Sequence, residues 1–166
     1  MFRKILVPLD GSSLAEKALP VAEEEAKAYG ASIVLLRVVH PNFFDKPFSK
    51  AEKTLIEKYK EQANKYLAMV AERVRNEAAV NVRAEVGEGD PAKVILDVAE
   101  VQKSSLIAMT THGFSGLRHI TLGSVASKVA KAAKARDIPL LLIRTTPLTV
   151  AVMEAEAEVA PNVQKE

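Results

Sequence analysis

The sequence predicts one α/β domain: an open parallel sheet of five strands with helices on both faces. Three observations point there. Short apolar runs alternate strictly with longer stretches of helical periodicity, and that alternation builds parallel sheets through right-handed crossovers. At least one run, Ile33 to Val39, is almost continuously apolar, as a strand covered on both faces must be. The chain has 166 residues, 48% hydrophobic and 27% charged, enough to bury the core of a single domain.

Each element has its own signal. Ile5-Leu6-Val7 is a short strand stopped by the turn pair Asp10-Gly11. Ser13 stands three residues before Glu16, the capping-box spacing, so a helix is expected from there to about Tyr29, ended by Gly30. Pro20 inside it must bend or split it. After the second strand, His40 to Phe48 reads as a loop, with Pro41 and Pro47. Ser49 and Glu52 repeat the capping spacing and open the longest helix, to about Asn76, with Leu55, Tyr59, Tyr66, Val70 and Val74 on its inner face. Val80 to Val86 alternates strictly, as an edge or half-exposed strand does. Gly87-Glu88-Gly89 turns the chain, and Asp90-Pro91 supplies an N-cap followed by proline at the first helical position. That helix runs to about Gln102. Leu106 to Met109 is the fourth strand, Ser124 caps a fourth helix to about Ala135, and Pro139 to Ile143 is the fifth strand. Residues 1–145 form the expected domain. Residues 146–166, rich in Ala, Val and Glu, are expected to be an arm or tail.

Composition excludes several functions. With 23 Lys plus Arg against 21 Asp plus Glu, the net charge of +2 argues against a protein that coats nucleic acid. The absence of cysteine removes disulfides, thiolate catalysis and cysteine-held metals together. Three scattered histidines do not suggest a metal cage. Aromatics at 5%, without Trp, make no stacking platform. No run approaches the roughly 18 apolar residues of a membrane span, and Pro8 and Asp10 interrupt the apolar N-terminus before a signal core can form. A cytoplasmic protein without a membrane partner is the expectation.

An open parallel sheet binds ligands beyond the carboxyl ends of its strands, where strand order reverses. The loops after the first and fourth strands should flank that point. In the first, Pro8 ends the pairing of a central strand and leaves Asp10 at the rim, its carboxylate expected to be free. In the second, nine residues separate Gly113 from Gly123, and Gly123-Ser124 stands at a helix start. Unpaired amides and the positive end of a helix dipole suit an oxyanion there, with the Ser124 hydroxyl as a further donor. From Met109 to Arg136, 28 residues contain no acid, and Arg118 places a cation in the loop itself. This pattern is neither a Walker motif nor GxGxxG.

With those motifs in place, the sequence resembles the universal stress protein family. The likeness spans about residues 1–144 and rests on Ile5 to Ser12, Gly89-Asp90-Pro91, Leu106 to Met109, Ser115-Gly116-Leu117 and Leu122 to Ala126 in order. The resemblance implies a Rossmann-like sheet of order 3-2-1-4-5 and a homodimer through the fifth strand. It also implies two branches, one that binds ATP and one that does not. The ATP-binding branch carries Gly-x-x-Gly, nine residues, then Gly-Ser or Gly-Thr. Here His112, Gly113, Gly123 and Ser124 match, while the first glycine is Thr110, whose hydroxyl is expected to donate to a phosphate oxygen. Pro8 and Asp10 match positions flanking the adenosine, Val38 matches the second-strand adenine contact, and Val125 and Ala126 offer further amides. With Leu9, Met109 and Arg118 these make up the candidate nucleotide-binding set. Ser105 stands where the family commonly has Asp, with a structural consequence expected.

The expected function is a stress-response sensor or signalling module that binds ATP, with magnesium or manganese carried on the phosphates. No catalytic residue is assigned, and hydrolysis at most slow is expected because His112 is the only nearby candidate base. The alternative is a dimeric interaction protein of the same fold without nucleotide. A third class, the adenine-nucleotide α-hydrolases, would need a pyrophosphate loop that Asp10-Gly11-Ser12-Ser13 does not supply.

Overall fold

The computed structural model describes residues 3–40, 50–112 and 122–144. The capping pair Ser49–Glu52, the loop glycine Gly113, Arg118 and the tail therefore fall wholly or partly outside the description. Five strands, β1 (Lys4–Pro8), β2 (Ser32–Val39), β3 (Val82–Glu88), β4 (Leu106–Thr110) and β5 (Leu140–Ile143), form one parallel sheet of order β3-β2-β1-β4-β5. Central β1 pairs with β2 from Lys4↔Ser32 to Pro8↔Leu36, and with β4 at Ile5↔Leu106 and Leu6↔Ile107. Strand order thus reverses between β1 and β4.

Side-chain alternation along the strands divides the core into two layers. Ile5, Val7, Ile33 and Leu35 pack with Ala22 and Ala26 of α2 (Leu19–Tyr29) and Leu67, Val70 and Val74 of α3 (Lys50–Ala78). Leu6, Val34, Leu36, Ile107 and Met109 pack on the other face, against Ile95 and Leu96 of α4 (Pro91–Val101) and Ala126 and Val129 of α5 (Ser124–Ala135). β4 is buried along its whole length, while edge strand β3 is exposed at Arg83 and Ala84. The edge position agrees with the expectation, although exposure of the adjacent Arg83 and Ala84 breaks the alternation of the sequence.

Several local expectations are corrected. The first helix is split into α1 (Ser13–Glu16) and α2, with Pro20 in the first turn of the second piece, so among the described residues five helical segments replace four. Proline is tolerated there because that amide has no intrahelical acceptor. The cap of α1 is Ser12, not Ser13: its Oγ accepts from the Ala15 amide at 3.1 Å. Glu16 instead reaches across to α3, accepting from Tyr66 Oη at 2.9 Å and Arg73 Nη2 at 2.7 Å. Leu55 and Tyr59 are 43% and 50% exposed; Ile56, Ala63 and Leu67 hold the inner face of α3. Gly87 belongs to β3 rather than to the turn. Ser105 takes a structural part, its Oγ accepting from the Arg3 and Lys4 amides at 2.7 and 3.1 Å.

Asp90 caps α4 as expected, Oδ1 accepting from the Lys93 amide at 3.0 Å. That bond, with Lys128 nearby, holds its carboxyl below the ordinary value of 3.8. Because the folded value is the lower one, its stabilisation is present above pH 3.8 and is lost as pH falls through the folded value. Asp90→Ala should cost about 1 kcal/mol near neutrality. Chemical denaturation of both proteins should show that gap narrowing once the pH drops below about 4.

Candidate functional site

A cleft of about 270 Å³ opens over the carboxyl ends of β1, β2 and β4, at the reversal of strand order. Small-molecule sites run upward from roughly 300 Å³, so the described walls enclose a space near the lower end of that range. β1 contributes Pro8 and the following Leu9 and Asp10, β2 contributes Leu36 and Val38, and β4 contributes Met109, Thr110 and the following Thr111. Pro91 and Ile95 of α4 close one side. Gly123, Ser124, Val125 and Ala126 close the other.

Of the thirteen candidate residues, eleven are described, and all of those but His112 line this cleft. His112 is turned into its own loop, with Nδ1 3.0 Å from Thr111 Oγ1. Gly113 and Arg118 lie outside the described residues. Sequence reasoning missed Ala15, Leu36, Pro91, Ile95 and Thr111. Leu36 had a signal, since it stands two residues before Val38 on the same side of its strand.

The start of α5 has no side-chain cap. Gly123, not Ser124, is the N-cap, with φ −62° and ψ 159°, and Ser124 is the first helical residue. The first intrahelical bond runs from the Ser127 amide to the Gly123 carbonyl at 2.8 Å. The amides of Ser124, Val125 and Ala126 therefore precede the helical ladder, at the positive end of the dipole, and the first turn carries no acid. Gly123 is held close to β4: its amide donates to the Thr111 carbonyl at 2.8 Å, and a β-carbon there would stand 3.2 Å from that oxygen.

Two polar expectations change. The Asp10 carboxylate is not free, because Oδ1 accepts from the Ser12 amide at 2.9 Å and the Ser12 hydroxyl at 2.6 Å. The side chain is locked into a turn that also caps α1. The Thr110 hydroxyl does not point outward to a phosphate; it donates to the His112 carbonyl at 2.6 Å, and the residue is 5% exposed. A buried hydroxyl takes the acceptor in reach, and here that is the next turn of its own loop. Among the described residues no cluster of three or more His, Cys, Asp or Glu could hold a metal. No described helix is long and apolar enough to cross a membrane.

An open parallel sheet with order β3-β2-β1-β4-β5, helices on both faces and an apolar cleft at its switch point defines a domain of the doubly wound α/β class. The chain belongs to the universal stress protein family, whose model matches residues 1–144. It is 34% identical over 145 residues to a universal stress protein of Methanocaldococcus jannaschii, covering 87% of this chain and 83% of the other. A Thermus aquaticus universal stress protein is 34% identical over 151 residues, covering 87% of this chain and all of the other. Among solved structures, a second Methanocaldococcus jannaschii universal stress protein superposes with TM-score 0.72 at 25% identity, over 89% of this chain and 99% of that one. Two more distant structures share the fold at 20% identity. One is a universal stress protein in complex with cAMP, TM-score 0.65 over 87% of this chain and 98% of that one. The other is the Archaeoglobus fulgidus protein in complex with dAMP, TM-score 0.58 over 86% and 98%.

Proposed function

We propose that the protein binds ATP in the cleft between the loops after β1 and β4 and acts as a stress-response sensor or signalling module. One observation carries this reading: a single cleft joins an apolar wall from Leu36, Val38, Ile95 and Met109 to the uncapped amides of α5. The apolar part suits a base, and the amides suit phosphate oxygens. The cAMP and dAMP complexes of two proteins with this fold support an adenine nucleotide as the ligand class. Magnesium or manganese would ride on the phosphates, since the one acid lining the cleft among the described residues is Asp10, committed to Ser12. Hydrolysis is at most slow in this reading, because His112 stands outside the lining and its Nδ1 faces Thr111. The homodimer belongs to the same reading: β5 is the sheet's edge, and its Leu140 to Ile143 are half-buried within one chain.

Thermal melts with ATP, cAMP, dAMP and GTP, each with magnesium, test the proposal. Ligand at about a hundred times its Kd stabilises by about 2.7 kcal/mol, a rise of roughly 5–10 °C for a domain of this size. ATP should give that rise and GTP should not. Thr110 favours a second reading, a dimeric interaction protein without nucleotide, because a side chain stands where the ATP-binding pattern has glycine. If the wild type shows no shift and Thr110→Gly gains one, that second reading replaces the first.

A further inference from the structure

Arg37 is the one charged residue of β2, between Leu36 and Val38. Strand alternation sends Leu36 and Val38 to the candidate cleft and Arg37 to the opposite layer, under α3. There its guanidinium lies over the Tyr66 ring, Cζ 5.4 Å from the centroid. Nη1 is buried with no hydrogen-bond partner among the described residues. Leaving such a donor unpaired is unfavourable, so its placement calls for a physical reason.

That reason lies at Gly11. Nη1 presses against this glycine so closely that a β-carbon would collide with it, and Gly11 has a φ of +82°. Gly11 is the middle of the Asp10–Ser12 turn, in which Ser12 holds the Asp10 carboxylate at the cleft. The support beneath Arg37 is itself fixed: Tyr66 donates to Glu16, and Glu16 also takes Arg73. Burial, then the Glu16 hydrogen bond and charge, push the Tyr66 phenol up, with Asp10 acting in the same direction and Arg37 against it. Asp10, Arg37, Tyr66 and Glu16 thus share one electrostatic neighbourhood.

We propose that Arg37 is a positioning residue for Asp10: lying over the Tyr66 ring, it props the Asp10-Gly11-Ser12 turn from the α3 side while Asp10 meets the ligand on the other. The inference rests on the cleft being a nucleotide site. Arginine suits the task because its broad guanidinium can lie over the ring while Nη1 reaches the glycine. A lysine offers the charge without the plane.

Two measurements on Arg37→Met test it. Hydrogen exchange at the Ser12 and Ala15 amides, read without ligand, should quicken about tenfold, since both amides depend on the turn. ATP affinity should fall about tenfold, and the same substitution in an Asp10→Asn background should add nothing, since Arg37 acts through Asp10. Unchanged exchange overturns the proposal, and so do losses that add in the double variant. If the wild type itself binds no ATP, the nucleotide reading fails, while the exchange result still decides whether Arg37 props the turn. Should Arg37→Met not fold, Arg37→Lys serves: its exchange should quicken in the same direction, and wild-type exchange would overturn the proposal.

Discussion

Gly123→Val should abolish the ATP-dependent rise in melting temperature, with at least a hundredfold loss of affinity, while the ligand-free protein still folds. The β-carbon alone stands 3.2 Å from the Thr111 carbonyl oxygen, tighter than ordinary van der Waals contact. The two γ-methyls of valine add bulk beside that contact and beside the amides of Ser124 and Val125, so the helix start is expected to shift from β4 or its donors to be covered. Gly123 has negative φ, so backbone strain is not the cause of the loss. Gly123→Ala separates the two parts of the effect. It adds only the β-carbon, and calorimetry should give a loss several times smaller than that of valine. Equal affinities for wild type and Gly123→Val would remove α5 from the binding site.

Leu67→Ala should produce the largest loss of stability among single truncations of α3, about 2–5 kcal/mol. The side chain is fully buried in the layer between α3 and the sheet, beside Val70 and Val74. Its removal leaves a cavity that a 29-residue helix, pinned along its length, closes poorly. A melting temperature lower by roughly 5–15 °C is expected. Met69, 70% exposed on the same helix, is the control. Met69→Ala should change stability by less than about 0.5 kcal/mol. Urea titrations of the three proteins decide the matter, and comparable losses at the two positions would overturn the packing described for α3.

Much of this was legible in the chain itself. Ile5-Leu6-Val7, Ile33 to Val39 and Leu106 to Met109 are strands because their apolar runs are too short for helices and bounded by turn residues. Asp90-Pro91 marks a helix start, and Gly30, with φ of +63°, a helix end, through chemistry confined to a few neighbouring residues. The remaining helix ends were placed within two residues, but not their geometry: Ala79, Lys103 and Asp137 follow α3, α4 and α5 at φ of 55°, 50° and 55° without being glycine. Ala79 and Lys103 take that left-handed conformation against their preference, while Asp137 is of a type that visits it occasionally. The periodicity of α3 misplaced Leu55 and Tyr59 because the buried stripe runs through Ile56 and Ala63, a choice between nearby apolar positions that packing makes. The capping spacing misassigned Glu16 because it ignored Tyr66 and Arg73, some fifty residues away in sequence.

The sequence by itself determined the alternation of strands and helices, the motifs of the family and the two loops that meet at the strand-order reversal. Each of these depends on local propensity and on spacing along the chain. Only the tertiary structure decided which polar groups at the rim remain available to a ligand. Asp10 is held by Ser12, Thr110 donates back to His112, Gly123 rather than Ser124 caps α5, and Arg37 stands behind Gly11. A hydrogen bond needs its partner within about 3 Å at the right angle, and such partners are fixed by packing rather than by their separation along the chain.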